Sequence, residues 1–186
     1  MLPRRAISTG AEAMRTRIFV VELEPTHYKT DLWNAFADSG RADVTVVYTE
    51  RRNWSPDGGH DYQRFPVDRH DAVVLEGKGF RGSARSALRV LGMFRKLGPA
   101  LTYIAGYVHL QTVIAILYAA LTGRRFVVHA DVFNNGMPEG RLRRLKWVVR
   151  EALRRVVFAR AEAVLVCGRL GVETARSAGC PEHKIR

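Results

Sequence analysis

Histidine side chains follow three of the strands that the sequence predicts, and a carboxylate follows one of them. His27 comes after the first strand and His109 after the fourth, whereas His129 ends the fifth strand with Asp131 two residues later. An imidazole beside a carboxylate commonly transfers a proton or orients a hydroxyl group in enzyme active sites. A lone histidine is more often structural, but the carboxyl ends of parallel strands lie side by side. We therefore expect His129 and Asp131 to be catalytic.

Other polar side chains share these loops and are candidates for binding a polar ligand. The candidates are His27, Tyr28, Lys29, Tyr107, His109 and Asn134. The first three stand where a helix is predicted to begin, so the simpler interpretation of that loop is a helix start capped by Thr26. The functional interpretation rests on the convergence of several such loops at one end of a parallel sheet.

A G-x-G-x-x-G pattern spans residues 77–82, between the third predicted strand and a predicted helix. Such a turn can direct backbone N–H groups toward a phosphate, with Lys78 and Arg81 as the charges of an anion-binding site. A dinucleotide site needs an acidic residue roughly 20 positions further on. None occurs between Gly77 and Ala130. The pattern leaves open an anion site, a tight turn without a ligand, and the NADP site of an oxidoreductase fragment.

The segment from Arg141 to Arg160 is predicted to form a strongly basic helix, with eight basic residues and one acid. A helical wheel gives it an apolar face that should pack on the sheet, made of Leu142, Leu145, Val149, Ala152, Leu153 and Val156. Trp147 and Phe158 fall among the charges of the other face. Basic residues interleaved with an aromatic suit the surface of an anionic membrane. The residues expected there are Arg143, Arg144, Trp147, Arg150 and Arg154. Contact with a second domain and a solvated face remain open.

Strand-like and helix-like segments alternate along the chain. Strands are predicted at 17–23, 43–48, 71–76, 100–105, 125–129 and 163–166, and helices at 28–39, 83–97, 109–121 and 141–158, followed by a short helix that ends at Gly179. The helix at 28–39 should bury Leu32, Ala35 and Phe36. Strands joined through helices require crossover connections, which predict an α/β fold with a mostly parallel sheet of six or seven strands covered on both faces.

The composition predicts a folded domain with an anionic partner. Of the 186 residues, 47% are hydrophobic, and the formal net charge is +12. No nucleic-acid-binding motif accompanies the charge, so a phosphorylated ligand or an anionic membrane fits better than nucleic acid. The cysteines, Cys167 inside a strand and Cys180, have no metal or redox spacing, so we expect no metal site and a cytoplasmic protein. Residues 1–14 lack a secretory pattern and are expected to form a disordered leader.

Five segments in order resemble one known family. They are Gly106-Tyr107, the run VVHAD at 127–131, the basic helix, AEAVLVCG at 161–168 and AGCPEHKI at 178–185. Together they are similar to the N-terminal Rossmann-like domain of the retaining glycosyltransferases of GT-B architecture, the "glycosyl transferases group 1" family. The resemblance covers residues 15–186 and implies a three-layer α/β domain that binds the acceptor. It also implies independence of metals, and we expect no cofactor.

The resemblance places His129 and Asp131 at a cleft between two domains, with the other polar candidates on neighbouring loops as acceptor contacts. A C-terminal domain of this family binds the nucleotide sugar and carries two glutamates eight residues apart. This chain has no such pair, so we expect the donor half to be absent and the chain to be inactive alone. It also has Glu24 to His27 where many members carry a glycine pair after the first strand.

Two functions are therefore expected, with a third kept open. The first is the acceptor half of an enzyme that transfers a sugar from a nucleotide sugar to a lipid-linked, cell-envelope or other glycan, at the inner face of a membrane. The second is a non-catalytic basic module that binds an anionic lipid surface or a phosphorylated ligand. The third is the NADP-dependent oxidoreductase fragment, which titration with NADPH would reveal through saturable quenching of tryptophan fluorescence.

Overall fold

A computed structural model of the chain describes residues 15–23, 26–49, 69–75, 79–107, 109–131, 133 and 141–186. The strands are β1 (Thr16–Glu22), β2 (Ala42–Tyr48), β3 (Asp71–Val74), β4 (Leu101–Ala105), β5 (Phe126–His129) and β6 (Ala163–Leu165). The helices are α1 (His27–Asp38), α2 (Gly79–Leu97), α3 (Leu110–Leu121), α4 (Arg141–Arg160) and α5 (Gly168–Ser177), with a 3-10 turn at Glu182–Lys184. The elements follow the predicted order.

The six strands form one parallel sheet in the order β3-β2-β1-β4-β5-β6. The chain builds outward from β1 through β2 to β3, and then returns through α2 to start β4 on the other side of β1. The direction of winding therefore reverses between β1 and β4, and such a reversal opens a crevice at the carboxyl ends of the strands. Beyond β6, Ile185 forms a parallel bridge with Val164. The predicted α/β fold is confirmed.

Helices cover the two faces of the sheet unequally. On one face, Val20, Val46 and Tyr48 pack with Trp33 of α1 in a small core. On the other face, α2, α3 and α4 pack over a larger core that includes Phe94, Ile116 and Val157. Successive strand residues point to opposite faces, so alternation in β1 feeds both cores. The result is three layers, and among the described residues α1 is the helix that packs on the smaller core.

Helix α1 is rotated from the orientation that the sequence predicts. Leu32 and Phe36 are 44% and 43% exposed, whereas Trp33 is only 3% exposed. The Trp33 ring packs edge-to-face on Tyr103 of β4, with ring centroids 4.9 Å apart. The edge-to-face contact with Tyr103 and the burial of the large indole together favour turning Trp33 toward the sheet. The predicted inner face was wrong.

Helix α4 also differs from its predicted orientation. Leu153 is buried, as expected, but Val157 and Phe158 complete the buried row, and Leu145 and Val149 are about as exposed as surface residues, at 61% and 60%. Because Phe158 is buried, the side of the helix that carries it faces the core, and Arg154, four residues earlier, lies on that same side. Arg154 is accommodated because its guanidinium lies 2.6 Å from the Glu151 carboxylate, which supplies the countercharge. The predicted division into apolar inside and basic outside therefore fails in this helix.

None of the described helices combines the length and the apolar character that crossing a bilayer requires.

Candidate functional site

The last residues of β1 and β5, together with Tyr103 in the middle of β4, share the face of the sheet that α1 covers. Val20 pairs with Tyr103 and Ala105 pairs with His129, so alternation places Glu22, Tyr103 and His129 on one face. Together with Lys29, Asp131 and Cys167 these residues form the carboxyl-end cluster. Its members come from β1, α1, β4, β5 and the start of α5. It lies at the winding reversal, where α/β sheets bind ligands.

His129, Asp131 and Cys167 converge on one another. The His129 Nε2 atom lies 3.3 Å from the Cys167 Sγ atom and 3.5 Å from the Asp131 Oδ1 atom. The His129 side chain is 19% exposed and that of Asp131 is 78% exposed. Cys167 is exposed at the start of α5 and not inside a strand as predicted, because β6 already ends at Leu165. Gly168 follows it with φ of +64°, a conformation that lets the helix begin at once.

Burial sets the protonation of the His129–Cys167 pair. It lowers the pKa of the His129 imidazole, an effect that Lys29 reinforces and Asp131 opposes. The surroundings of the Cys167 sulfur raise the pKa of its thiol through desolvation and the neighbouring Asp131 carboxylate, although the residue as a whole is exposed. Near neutral pH the pair is thus a neutral imidazole and a thiol. A neutral imidazole can accept a hydrogen bond or a proton from a substrate hydroxyl.

Glu22 and Lys29 form a buried ion pair beside this triad. Glu22 is fully buried, and its Oε2 atom accepts a hydrogen bond of 2.6 Å from the Lys29 ammonium, whose side chain is 13% exposed. Burial raises the pKa of Glu22, and the Lys29 charge opposes that shift. The Glu22 Oε1 atom has no hydrogen-bond partner among the described residues. Because an ammonium has three donors, Lys29 keeps further donors for a ligand.

Tyr103 lies near both groups of the cluster, the Glu22–Lys29 ion pair and the group formed by His129, Asp131 and Cys167. Its ring packs between Trp33 and His129, with centroids 4.9 Å and 6.0 Å away. Burial, followed by the charges of Glu22 and Cys167, raises the pKa of Tyr103 far above its ordinary value. Its hydroxyl therefore stays protonated and can donate a hydrogen bond at any physiological pH. Sequence reasoning missed Tyr103 because it lies in the middle of a strand, where a tyrosine is usually only a packing residue.

Of the other predicted site residues, Tyr107 lies outside the cluster, and His109 and Tyr28 lie at the starts of helices. Tyr107 is buried in the larger core, where its ring stacks on Phe133 with centroids 5.4 Å apart. His109 is half-buried at the start of α3, and its carbonyl accepts a hydrogen bond from Thr112. Tyr28 is 58% exposed at the start of α1, close enough to add to the electrostatic field at Tyr103.

The remaining predicted residues belong to the first loop, the anion site and the membrane face, and the structure describes only some of them. The side chain of His27, residues Lys78 and Asn134, and the side chain of Arg143 lie outside the described part of the structure. Arg81 is exposed in the first turns of α2, so an anion site there remains a prediction. Of the predicted membrane residues, Arg144 is exposed, Trp147 and Arg150 are half-buried, and Arg154 is 11% exposed.

Comparison with known proteins agrees with this fold. The family model described as "Glycosyl transferase 4-like domain" matches residues 25–186. No curated protein matches the chain by sequence. The resemblance found in the sequence is therefore supported at the level of the family rather than of an individual relative.

Solved structures share the fold at very low sequence identity. A Listeria monocytogenes structure assigned as a UDP-N-acetylglucosamine 2-epimerase superposes with a TM-score of 0.61 at 11% identity, over 92% of this chain and 44% of that one. The UDP-GlcNAc 2-epimerase of Methanocaldococcus jannaschii gives 0.58 at 8% identity, over 92% and 45%. A sucrose-phosphate synthase structure from Thermosynechococcus elongatus gives 0.54 at 10% identity, over 91% and 86%. The chain thus spans less than half the length of either epimerase.

Proposed function

Because the chain belongs to the glycosyl transferase 4-like domain family, we propose that it is the acceptor-binding half of a glycosyltransferase. The observation that supports this role most is the carboxyl-end cluster, which lies at the winding reversal between β1 and β4 and contains several hydrogen-bonding groups. In this proposal a further domain binds the nucleotide-sugar donor, and the acceptor is a lipid-linked, cell-envelope or other glycan. A hydroxyl-rich acceptor suits a site that offers carboxylate, imidazole, ammonium and phenol groups together.

Asp131, His129 and Lys29 each have a role in this proposal. The exposed Asp131 carboxylate accepts a hydrogen bond from a hydroxyl beside the attacking one and so orients the acceptor. The neutral His129 imidazole, 3.5 Å from Asp131, accepts the hydrogen bond of the attacking hydroxyl and takes its proton as the new bond forms. Lys29, held by Glu22, presents positive charge to the oxygen atoms that become negative during transfer. The contribution of this half is chiefly orientation, which lowers the entropic part of the barrier.

Binding of acceptors by the 186-residue chain tests the proposal. Saturation-transfer NMR with a panel of glycans and lipid-linked sugars identifies an acceptor, and Asp131→Asn should then weaken its binding roughly tenfold, since a hydrogen bond to a charged group contributes about 1.5 kcal/mol or more. Asp38→Asn is the matched control, because Asp38 pairs with Arg69 at the opposite end of the strands. Equal loss in both variants, or saturable binding of nucleotide sugars with no acceptor bound, would contradict the assignment.

Helix α4 supports a second element of the proposal, attachment to an anionic membrane. Leu145, Val148 and Val149 are 61%, 54% and 60% exposed in its first turns, and Arg144 beside them is also exposed. Three adjacent large apolar side chains in water are unusual at one surface patch, and a basic neighbour adds attraction to acidic headgroups. This patch replaces the face expected from the sequence, in which Arg154 was to contact lipid.

Co-sedimentation with vesicles of phosphatidylcholine, with and without phosphatidylserine, measures this attachment. Binding should require the acidic lipid and should fall several-fold in Val149→Asp, because a carboxylate replaces apolar contact and is repelled by the surface. Leu121→Asp is the control, since Leu121 is 85% exposed at the end of α3 and outside the patch. Binding that ignores the lipid charge, or that falls equally in the control, would rule out this patch as the docking face.

A further inference from the structure

We propose that His129, Asp131 and Cys167 form a binding site for a zinc-like divalent cation. The His129 Nε2, one Asp131 carboxylate oxygen and the Cys167 Sγ all lie within 4.8 Å of one another, and all three residues are among those the structure describes. The inference goes beyond the acceptor-binding role, which needs no metal and assigns nothing to Cys167. It also differs from the expectation of metal independence that the family resemblance carries.

Two of the three distances between the donor atoms match a tetrahedral site, and the third, from sulfur to oxygen, is within 4.8 Å. With bonds of about 2.0–2.1 Å to nitrogen or oxygen and about 2.3 Å to sulfur, neighbouring ligand atoms on a tetrahedron are separated by about 3.3–3.6 Å. The observed separations are 3.3 Å from nitrogen to sulfur and 3.5 Å from nitrogen to oxygen. An imidazole, a thiolate and a carboxylate are the ligand types that zinc takes in proteins.

The orientation of the imidazole distinguishes a metal site from a nucleophilic triad. In a Cys–His–Asp triad the thiol and the carboxylate contact different ring nitrogens, so that the acid orients the base. Here both Cys167 and Asp131 approach the same atom, His129 Nε2. One nitrogen lone pair can serve only one proton, whereas three donors that converge on a common point can share one cation.

The backbone holds the ligands in place without a metal. Ala130 donates a hydrogen bond of 3.0 Å to the Leu165 carbonyl, which ties the end of β5 to the end of β6. Gly171 of α5 lies so close to the Asp131 carbonyl that a Cβ atom there would be only 2.9 Å from that oxygen. The chain at Asp131 is therefore packed directly on the helix that follows Cys167. Ligands on ordered elements lose little freedom when they bind an ion.

Electrostatics permit a cation in spite of the basic surroundings. Lys29 is close enough to influence His129 and Cys167, but its charge is compensated by the Glu22 carboxylate 2.6 Å away. When the metal–sulfur bond forms, the Cys167 thiol releases its proton to solvent, so the site gains negative charge as the ion arrives. Three protein ligands leave a fourth position for water or a ligand oxygen, the arrangement of zinc sites that act on substrates.

Zn²⁺ titration by calorimetry and Co²⁺ titration by absorption test the proposal on the 186-residue chain. We expect one Zn²⁺ per chain, and a thiolate-to-cobalt charge-transfer band in the near ultraviolet. Cys167→Ser should abolish the band, and His129→Ala and Asp131→Asn should each weaken Zn²⁺ binding by roughly 100-fold or more, since even changes to the partners of ligands cost about 10–100-fold.

Two variants control for other cysteines and histidines. Cys180→Ala removes the buried cysteine, and His183→Ala removes an exposed histidine, and both should bind Zn²⁺ as the unaltered chain does. Circular dichroism melts confirm that each variant is folded. No binding, no charge-transfer band, or equal weakening in the controls would overturn the site. The cobalt charge-transfer band separates this proposal from the acceptor role, because it reports the metal–sulfur bond in samples that contain no acceptor.

Discussion

Both ends of the parallel strands carry ion pairs, but the pair at the amino ends is exposed to water and the pair at the carboxyl ends is buried. A cavity of about 890 Å³ lies at the amino ends and is lined by charged residues that include Arg15, Asp43 and Arg69. There the Arg15–Asp43 pair is 3.4 Å apart with both side chains more than half exposed. At the carboxyl ends, the Glu22–Lys29 pair is almost fully buried. Burial and convergence, rather than cavity size, distinguish the end that is equipped for chemistry.

The contrast has a physical cause. An exposed ion pair is screened by water and contributes about 0–1 kcal/mol to stability. A buried pair has lost its hydration, and each partner then depends on the other. The pKa shifts of Glu22, Tyr103 and His129 all arise from desolvation, and all three groups lie in the carboxyl-end cluster.

The largest effect should come from removing Lys29. Lys29→Met leaves the Glu22 carboxylate buried without its countercharge, and we expect the free energy of unfolding to fall by about 3 kcal/mol at neutral pH. Urea denaturation followed by circular dichroism measures the change. Arg15→Met removes the matching cation at the amino ends and should cost less than about 1 kcal/mol. Similar losses in both variants would contradict the distinction between the two ends.

A smaller loss of stability should follow from adding a methyl group at Gly171, where α5 packs against the Asp131 carbonyl. Gly171→Ala places a Cβ atom 2.9 Å from the Asp131 carbonyl and 3.1 Å from the Val166 Cβ atom, so the backbone must move. We expect a loss of about 1–3 kcal/mol, together with weaker binding of any ligand that Asp131 contacts. Gly92→Ala, in α2 with open space around it, should instead stabilise the chain by about 0.5–1 kcal/mol. Two changes of the same sign would show that α5 does not press on the site.

The subtlest prediction concerns the pH dependence of stability. The folded pKa of Glu22 lies above its ordinary value, so the folded state binds the proton more tightly than the unfolded state does. The stability that protonated Glu22 contributes is present below pH about 4.5 and is lost as the pH rises through the folded pKa. The difference in stability between the unaltered chain and Glu22→Gln should therefore decline with rising pH.

Glu182 should show the opposite pH dependence, because its pKa is lowered in the folded state and not raised. A hydrogen bond from the exposed Arg176 lowers the pKa of Glu182. Its contribution is present above the unfolded pKa and is lost as the pH falls through the folded one. Denaturation midpoints of Glu22→Gln and Glu182→Gln, measured from mildly acidic to neutral pH, should thus change in opposite directions relative to the unaltered chain. Parallel changes would mean that Glu22 is solvated in the folded protein.

Sequence patterns were sufficient for part of the site and failed for the rest for identifiable reasons. His129, Asp131 and Lys29 were expected from their positions after strands, and the structure brings them together. Glu22 and Tyr103 were missed because their surroundings come from strands and helices distant in the chain. Cys167 was missed because a single cysteine has no spacing pattern, and only the pairing of β5 with β6 brings it to His129, 38 residues away.

By itself the sequence determined the succession of strands and helices, because alternation of short β-branched runs with amphipathic segments depends on local periodicity. It also determined the family, through the order of its motifs. The tertiary structure alone decided which side of each helix faces inward, since Trp33 and Phe158 compete with other apolar residues for the same core. It also decided which polar groups lose water, because desolvation depends on what packs against a side chain and not on its neighbours along the chain.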